Sequence, residues 1–117
     1  MEYTDEFEDW WVELIEDEQD SVAAMVEVLE IKGPALPYPH SSGIESSSFR
    51  HMRELRIQHK GQPYRILYAF DPRRVAILLI GGRKTGDDRW YDTFVPKADK
   101  LYEDHLRSIG QGGHEDG

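Results

Sequence analysis

Apolar residues recur at helical spacing near the start of the chain and at strand spacing through its middle. In TDEFEDWWVELIED, Phe7, Trp10, Trp11, Leu14 and Ile15 fall every three to four residues, which predicts an amphipathic helix. Thr4 or Asp5 can cap it, with Glu8 three positions beyond Asp5 and acids in the first turn to suit the helix dipole. DSVAAMVEVLEIKG repeats the pattern through Val22, Met25, Val26 and Leu29 until Gly33 and Pro34 stop it. The short join predicts a helical hairpin with its tryptophans in the core. GPALPYPHSSGIESSS, sixteen residues rich in Pro, Gly and Ser, predicts a long loop of the kind that carries function or moves.

Period two takes over at MRELRIQH, where Leu55 and Ile57 share one face and Glu54, Arg56 and Gln58 the other. PYRILYAF sets Tyr64, Ile66, Tyr68 and Phe70 against Arg65, Leu67 and Ala69, and VAILLI is apolar on both faces, as a covered strand requires. Lys60–Gly61 and Asp71–Pro72–Arg73–Arg74 supply the turns. PKADKLYEDHL predicts a last helix, with Pro96 near its start and Ala98, Leu101, Tyr102 and His105 along one side. The expected fold is α+β: an N-terminal helical hairpin and a C-terminal helix packed on a small antiparallel sheet. Residues 1–109 form one domain, and 110–117 (GQGGHEDG) form a flexible tail.

A two-residue turn at Lys60–Gly61 pairs His59 with Gln62, Ile57 with Tyr64 and Leu55 with Ile66, and so sets Arg56 directly opposite Arg65. Like charges so placed repel, which calls for a carboxylate, with Glu54 at hand, or for an anion. A four-residue turn over Asp71–Arg74 pairs Phe70 with Val75, Ile66 with Leu79 and Arg65 with Ile80. GGRKTGDDRWY then leaves the sheet beside both arginines. Arg56, Arg65, Arg83 and Lys84 converge, with Arg89, Trp90 and Tyr91 in reach, on a pocket that suits phosphate and stacked bases. Such a pocket can host RNA cleavage, in which a 2′-hydroxyl attacks the adjacent phosphate. That chemistry needs a base, an acid and stabilised charge on the phosphorane. Clustered cations are expected to lower the pKa of a neighbouring Lys or Tyr.

The charge is uneven. The 117 residues carry net −9, yet residues 1–31 hold twelve Asp and Glu and no Lys or Arg, whereas 49–89 hold ten basic residues against four acidic ones. Either two solvated faces of opposite sign result, or a basic site for a polyanion with an acidic shell elsewhere. The lack of cysteine excludes disulfides and thiolate chemistry. No apolar run would span a membrane and no signal peptide opens the chain, so a cytoplasmic location is expected. GGRKTG lacks the Gly that a phosphate loop places directly before Lys. Asp87–Asp88, two adjacent loop acids, rarely suffice for a metal without further ligands, and His40, His51, His59, His105 and His114 show no ligand spacing. His59 at the hairpin tip is a minor candidate for a base.

The run MRELRIQHKGQPYRILYAFDPRRVAILLIGGRKTGDDRWY, followed by PKADKLYEDHL, resembles the RelE/ParE superfamily of toxin–antitoxin toxins, and within it the phage-derived HigB-like branch. The Phe–Trp helix and GPAL fit as well, so the likeness covers residues 3–107. It implies a RelE-like fold with helices on one face of an antiparallel sheet. It also implies a ribosome-dependent endoribonuclease (an mRNA interferase) that inhibits translation without metal or other cofactor. A cognate helix-turn-helix antitoxin, the ribosome and mRNA would be its partners, with no membrane involved. By motif, Arg65 in YRILY matches the family's strand arginine, Arg56 a basic residue on the preceding strand, and Arg83 and Lys84 the basic pair after the last strand. Tyr91 matches the aromatic that contacts the nucleotide, with Trp90 its rival. On this reading Arg65 and Arg83 stabilise the phosphate, Lys84 or Arg56 assists proton transfer, and Tyr91 orients the base. Arg53, Lys60, Arg89 and Trp90 would contact RNA. The histidine that HigB-type toxins use near the C-terminal strand has no counterpart here. In the ParE branch the same fold inhibits DNA gyrase by binding it, and a phage-derived binding module without toxicity is a third expectation.

Overall fold

In the computed structural model, which describes residues 1–86 and 89–116 with side chains through Gly110, five strands form one sheet in the order β1-β5-β4-β3-β2. These are β1 (Glu2–Tyr3), β2 (Ser41–Gly43), β3 (Arg53–His59), β4 (Gln62–Phe70) and β5 (Ala76–Arg83). The helices are α1 (Asp5–Glu13), α2 (Glu16–Lys32) and α3 (Arg89–Asp116), with a 3-10 turn over Gly33–Ala35. The expected tail over 110–117 falls almost wholly where side chains lie outside the described residues, as do Asp87 and Asp88 altogether.

Local chemistry accounts for the first helices. The Thr4 hydroxyl caps α1 by accepting from the Phe7 amide at 3.0 Å, and itself donates to the Leu79 carbonyl. The break between helices comes at Leu14–Ile15, earlier than periodicity suggests, because Glu18 Oε1 accepts the Ile15 amide at 2.9 Å and starts α2 there. Phe7, Val22 and Leu29 then pack on Leu55, Ile57, Ile66, Tyr68 and Leu78, the odd face of β3 and the even face of β4 and β5.

Two expectations of the resemblance are corrected. Helices cover both faces of the sheet, since Leu67, Ala69, Ile77 and Leu79 are also apolar and α3 buries them under Trp90, Val95, Ala98 and Tyr102. The sheet is mixed, because the two-residue β1 runs parallel to β5. The helix α3 also starts seven residues before Pro96, because its buried stripe of Trp90, Val95, Ala98 and Tyr102 runs through that proline's turn.

The β3–β4 hairpin has the expected register, from His59 opposite Gln62 to Arg56 opposite Arg65. Lys60 and Gly61 both take positive φ, 50° and 79°, the two-residue turn whose twist matches the strands. The β4–β5 register differs from expectation: Phe70 faces Ala76, Ile66 faces Gly81 and Arg65 faces Gly82. One residue of the shift arises in the turn, where Arg74 adopts φ 66° after the Asp71–Arg74 turn. The other is a β-bulge beside Leu67/Tyr68 that sends both Leu79 and Ile80 to the α3 side.

After the bulge, β5 ends in two glycines that touch indoles from opposite layers. A Cβ at Gly81 would lie 2.3 Å from Trp10 of α1, and one at Gly82 would lie 3.1 Å from Trp90 of α3. Gly81→Ala is therefore expected to destabilise by about 1–3 kcal/mol through forced displacement of Trp10, read from urea unfolding midpoints. Trp10→Leu should absorb most of that loss.

At the far end of the sheet, the buried Asp71 meets Arg73 Nη2 at 2.7 Å and His105 Nε2 at 2.9 Å. Burial alone would raise its carboxyl, but hydrogen bonds from Arg73, His105 and the amides of Val75 and Arg73 outweigh that and hold the pKa at about 2. A depressed folded-state value adds stability above the unfolded pKa that is lost as pH falls through the folded one. The loss should come to about 2 kcal/mol between about pH 4 and pH 2. Asp71→Asn should remove this part of the acid slope in urea midpoints measured across that window.

Candidate active site

Alternation along β3 and β4 puts Glu54, Arg56 and Arg65 on the face that α3 covers, where Tyr91 in the first turn of α3 reaches Glu54. Glu54 is the centre. Its side chain is 7% exposed, and Oε1 accepts from the Tyr91 hydroxyl at 2.6 Å while Oε2 accepts from the Ser42 hydroxyl at 2.6 Å. Arg65 Nε lies 3.3 Å from Oε1, and Arg56 Nη1 lies 3.9 Å from Oε2. The like-charged pair across β3 and β4 is thus bridged by a carboxylate, as its repulsion requires.

Arg65 is also buried, and its Nη1 donates to the Tyr64 carbonyl at 3.0 Å. Its Nε, although at ion-pair distance from Glu54, has no aligned acceptor among the described residues. Lys84 is fixed by its own amide, which donates to the Pro63 carbonyl at 2.8 Å, and its Nζ sits 5.6 Å from the centre of the Tyr91 ring. A cavity of about 350 Å³ is lined by Glu54 and Tyr91 together with Gly43, Ile44, Glu45, Ser46 and Asp92.

Tyr91 behaves contrary to the sequence expectation that cations would lower its pKa. Burial first, and then the hydrogen bond it donates to Glu54, raise the phenol above its ordinary value despite the opposing effect of Arg65. The hydroxyl is therefore held protonated.

Arg56, Arg65, Lys84 and Tyr91 are brought together, but other sequence-derived residues are not. Arg83 pairs with Tyr64 and projects to the α2 side, beside the Tyr64 hydroxyl that donates to Glu18. Arg53 also faces α2, where its Nε donates to the Ser41 hydroxyl at 2.8 Å. Lys60 is exposed at the hairpin tip, 3.4 Å from Asp17. Trp90 is core, stacked on Phe94 at 4.5 Å, and presents no free face for a base. Arg89 opens α3 on the surface. His59, the minor candidate base, hydrogen-bonds Ser21 at 2.7 Å on the α2 side.

Sequence reasoning under-weighted Glu54 and missed Ser42 and Tyr38. Glu54 was legible, since the same alternation that aligned Arg56 put it two residues away on that face. Ser42 lies in β2, three residues inside the Pro- and Ser-rich stretch, with no periodicity to mark it. Among the described residues no cluster of His, Asp and Glu could hold a metal, and no helix is long and apolar enough to cross a membrane. A larger concavity of about 690 Å³ between α1 and α2 is lined by Tyr3, Phe7, Trp11 and Val26 with glutamates around them, remote from these cations.

Residues 9–103 match the family described as phage-derived protein Gp49-like. The chain belongs to this family. This Gp49-like chain is also similar to two proteins of Mycobacterium tuberculosis. That named "Putative toxin HigB3" is 44% identical over 107 residues, 91% of this chain and 92% of its own length. That named "Putative toxin HigB2" is 40% identical over 99 residues, 83% of this chain and 49% of its own length. No solved structure matches this Gp49-like chain. The kinship expected with phage-derived, HigB-like proteins therefore stands, and it covers all the strands that build the site.

Proposed function

We propose that this protein is the toxin of a toxin–antitoxin module and that it cleaves mRNA on the ribosome, in the cytoplasm, until a helix-turn-helix antitoxin restrains it. The observation that carries the reading is the cluster at Glu54: one buried carboxylate, in contact with a buried arginine and with a protonated phenol that lines the same cavity. Base, anion-binding group and acid are then within one step of each other. Kinship with proteins named as toxins supports the cellular role.

In the proposed reaction Glu54 takes the proton from a ribose 2′-hydroxyl. The 2′-oxygen bonds to the adjacent phosphorus while the positive charges of Arg65 and Arg56 balance the charge gathering on the phosphorane. The bond to the 5′-oxygen breaks as that oxygen takes a proton from Tyr91 or from Lys84 beside it. The products are a 2′,3′-cyclic phosphate and a free 5′-hydroxyl. Arg83, on the other face, has no part in these steps, which revises its role in the sequence-based scheme.

Purified protein incubated with translating ribosomes and a defined mRNA, followed by primer extension, tests the reading. Expected are cuts within codons that need the ribosome. Absence of cuts together with loss of gyrase supercoiling would favour a gyrase-binding inhibitor, and silence in both assays a binding module.

A further inference from the structure

The long segment before β3 carries a side chain that neither periodicity nor motif marks. Tyr38 stands in solvent with 70% of its surface exposed, although it is a large aromatic. Single exposed aromatics are ordinary on protein surfaces. This one differs in where it stands and how it is held. The Arg56 guanidinium carbon lies 5.3 Å from the ring centre, so one face is backed by the cation that also reaches Glu54. The backbone behind it is fixed: the amides of His40 and Ser41 both bond the Pro37 carbonyl at 3.1 Å, and the Arg56 amide bonds the His40 carbonyl at 2.8 Å. One guanidinium therefore separates an open, pre-placed ring from the carboxylate at the centre of the site.

We infer that Tyr38, backed by Arg56, is a docking face for an unpaired nucleobase flanking the phosphate bound at Glu54 and Arg65. The inference rests on the nuclease reading for its ligand, single-stranded RNA. An aromatic ring with one face on a guanidinium and the other in water offers a base a stacking surface of any sequence. Such stacking is sequence-tolerant and needs no hydrogen-bond readout. With Trp90 buried, Tyr38 takes over the stacking role that the sequence assigned to the aromatics after β5.

The test uses Tyr38→Ala and Tyr38→Phe beside the parent chain, with a short single-stranded RNA carrying one 2-aminopurine as probe. Parent and Tyr38→Phe should bind the probe and quench its emission by stacking. Tyr38→Ala should bind about tenfold more weakly and lose the quench. Circular dichroism and unfolding midpoints should be the same for all three, since the ring is exposed. If Tyr38→Ala binds and quenches like the parent, or if the parent does not bind the probe, the inference is overturned. Cleavage of ribosome-bound mRNA is scored separately. A parent that cuts while Tyr38→Ala fails to weaken probe binding overturns the platform alone. A parent that quenches through Tyr38 but never cuts supports the platform and overturns the nuclease.

Discussion

Glu54→Ala is expected to lower folding stability by about 3–5 kcal/mol, and Glu54→Leu combined with Arg65→Met to recover most of that loss. The two side chains are 7% and 6% exposed, so each charge has given up most of its hydration for the other. Removing the carboxylate leaves Arg65 buried and uncompensated. It also leaves the Tyr91 and Ser42 hydroxyls without their acceptor. Replacing both charges with apolar groups of similar volume removes the desolvation cost on both sides. Urea midpoints with unchanged m-values are the measurement. A single variant as stable as the double one would mean that the pair has no structural role and that its burial serves only the site.

Cleavage by Glu54→Gln and by Tyr91→Phe is expected to fall by about 10²–10⁴-fold each, the range for loss of a general base or acid. Glutamine keeps an oxygen to accept from Tyr91 and Ser42, and phenylalanine keeps the ring beside Lys84, so both variants should remain folded. The double variant should be little worse than the poorer single one, because two groups serving one step do not add. The pH profile carries a further sign. Because the Tyr91 phenol is raised by burial and by Glu54, it keeps its proton through the ordinary tyrosine range near pH 10. An alkaline fall in rate should thus appear only above about pH 10, and should vanish in Tyr91→Phe. Full-rate cutting by Tyr91→Phe would transfer the acid role to Lys84.

Much of the architecture can be read from alternation alone. Period two in RELRIQH and PYRILYAF placed every buried residue of β3 and β4 on its correct face, and the positive-φ Lys60–Gly61 turn set their pairing. Pairing with β5 was not legible. Arg74 adopts a left-handed conformation in a turn closed locally by Asp71, whose carbonyl accepts the Arg74 amide and whose Oδ1 accepts the Arg73 and Val75 amides, and the bulge at Leu79 follows from which apolar residues both layers can bury. For the site, the convergence of Arg56, Arg65, Lys84 and Tyr91 was visible in the strand order, and the parting of Arg83 from Arg65 was legible too, since a register shift of two residues leaves Arg83 on the same face as the expected pairing does. Trp90 looked like a ligand-facing aromatic because a helix starting near Pro96 leaves it in a loop. With α3 starting at Arg89 it becomes the first buried residue of a helical stripe.

The clasp of Gly81 and Gly82 between Trp10 and Trp90 also gives the protein an optical handle of its own. Trp90 meets the Tyr91 ring edge-on at 5.3 Å, and Tyr91 holds Glu54, whereas Trp10 lies beyond the sheet against α1's own layer. The two indoles thus view one strand from opposite sides, with only one of them wired to the cavity. Once Trp10 and Trp11 are changed to phenylalanine, the emission of Trp90 becomes a label-free readout of anything that enters beside Glu54.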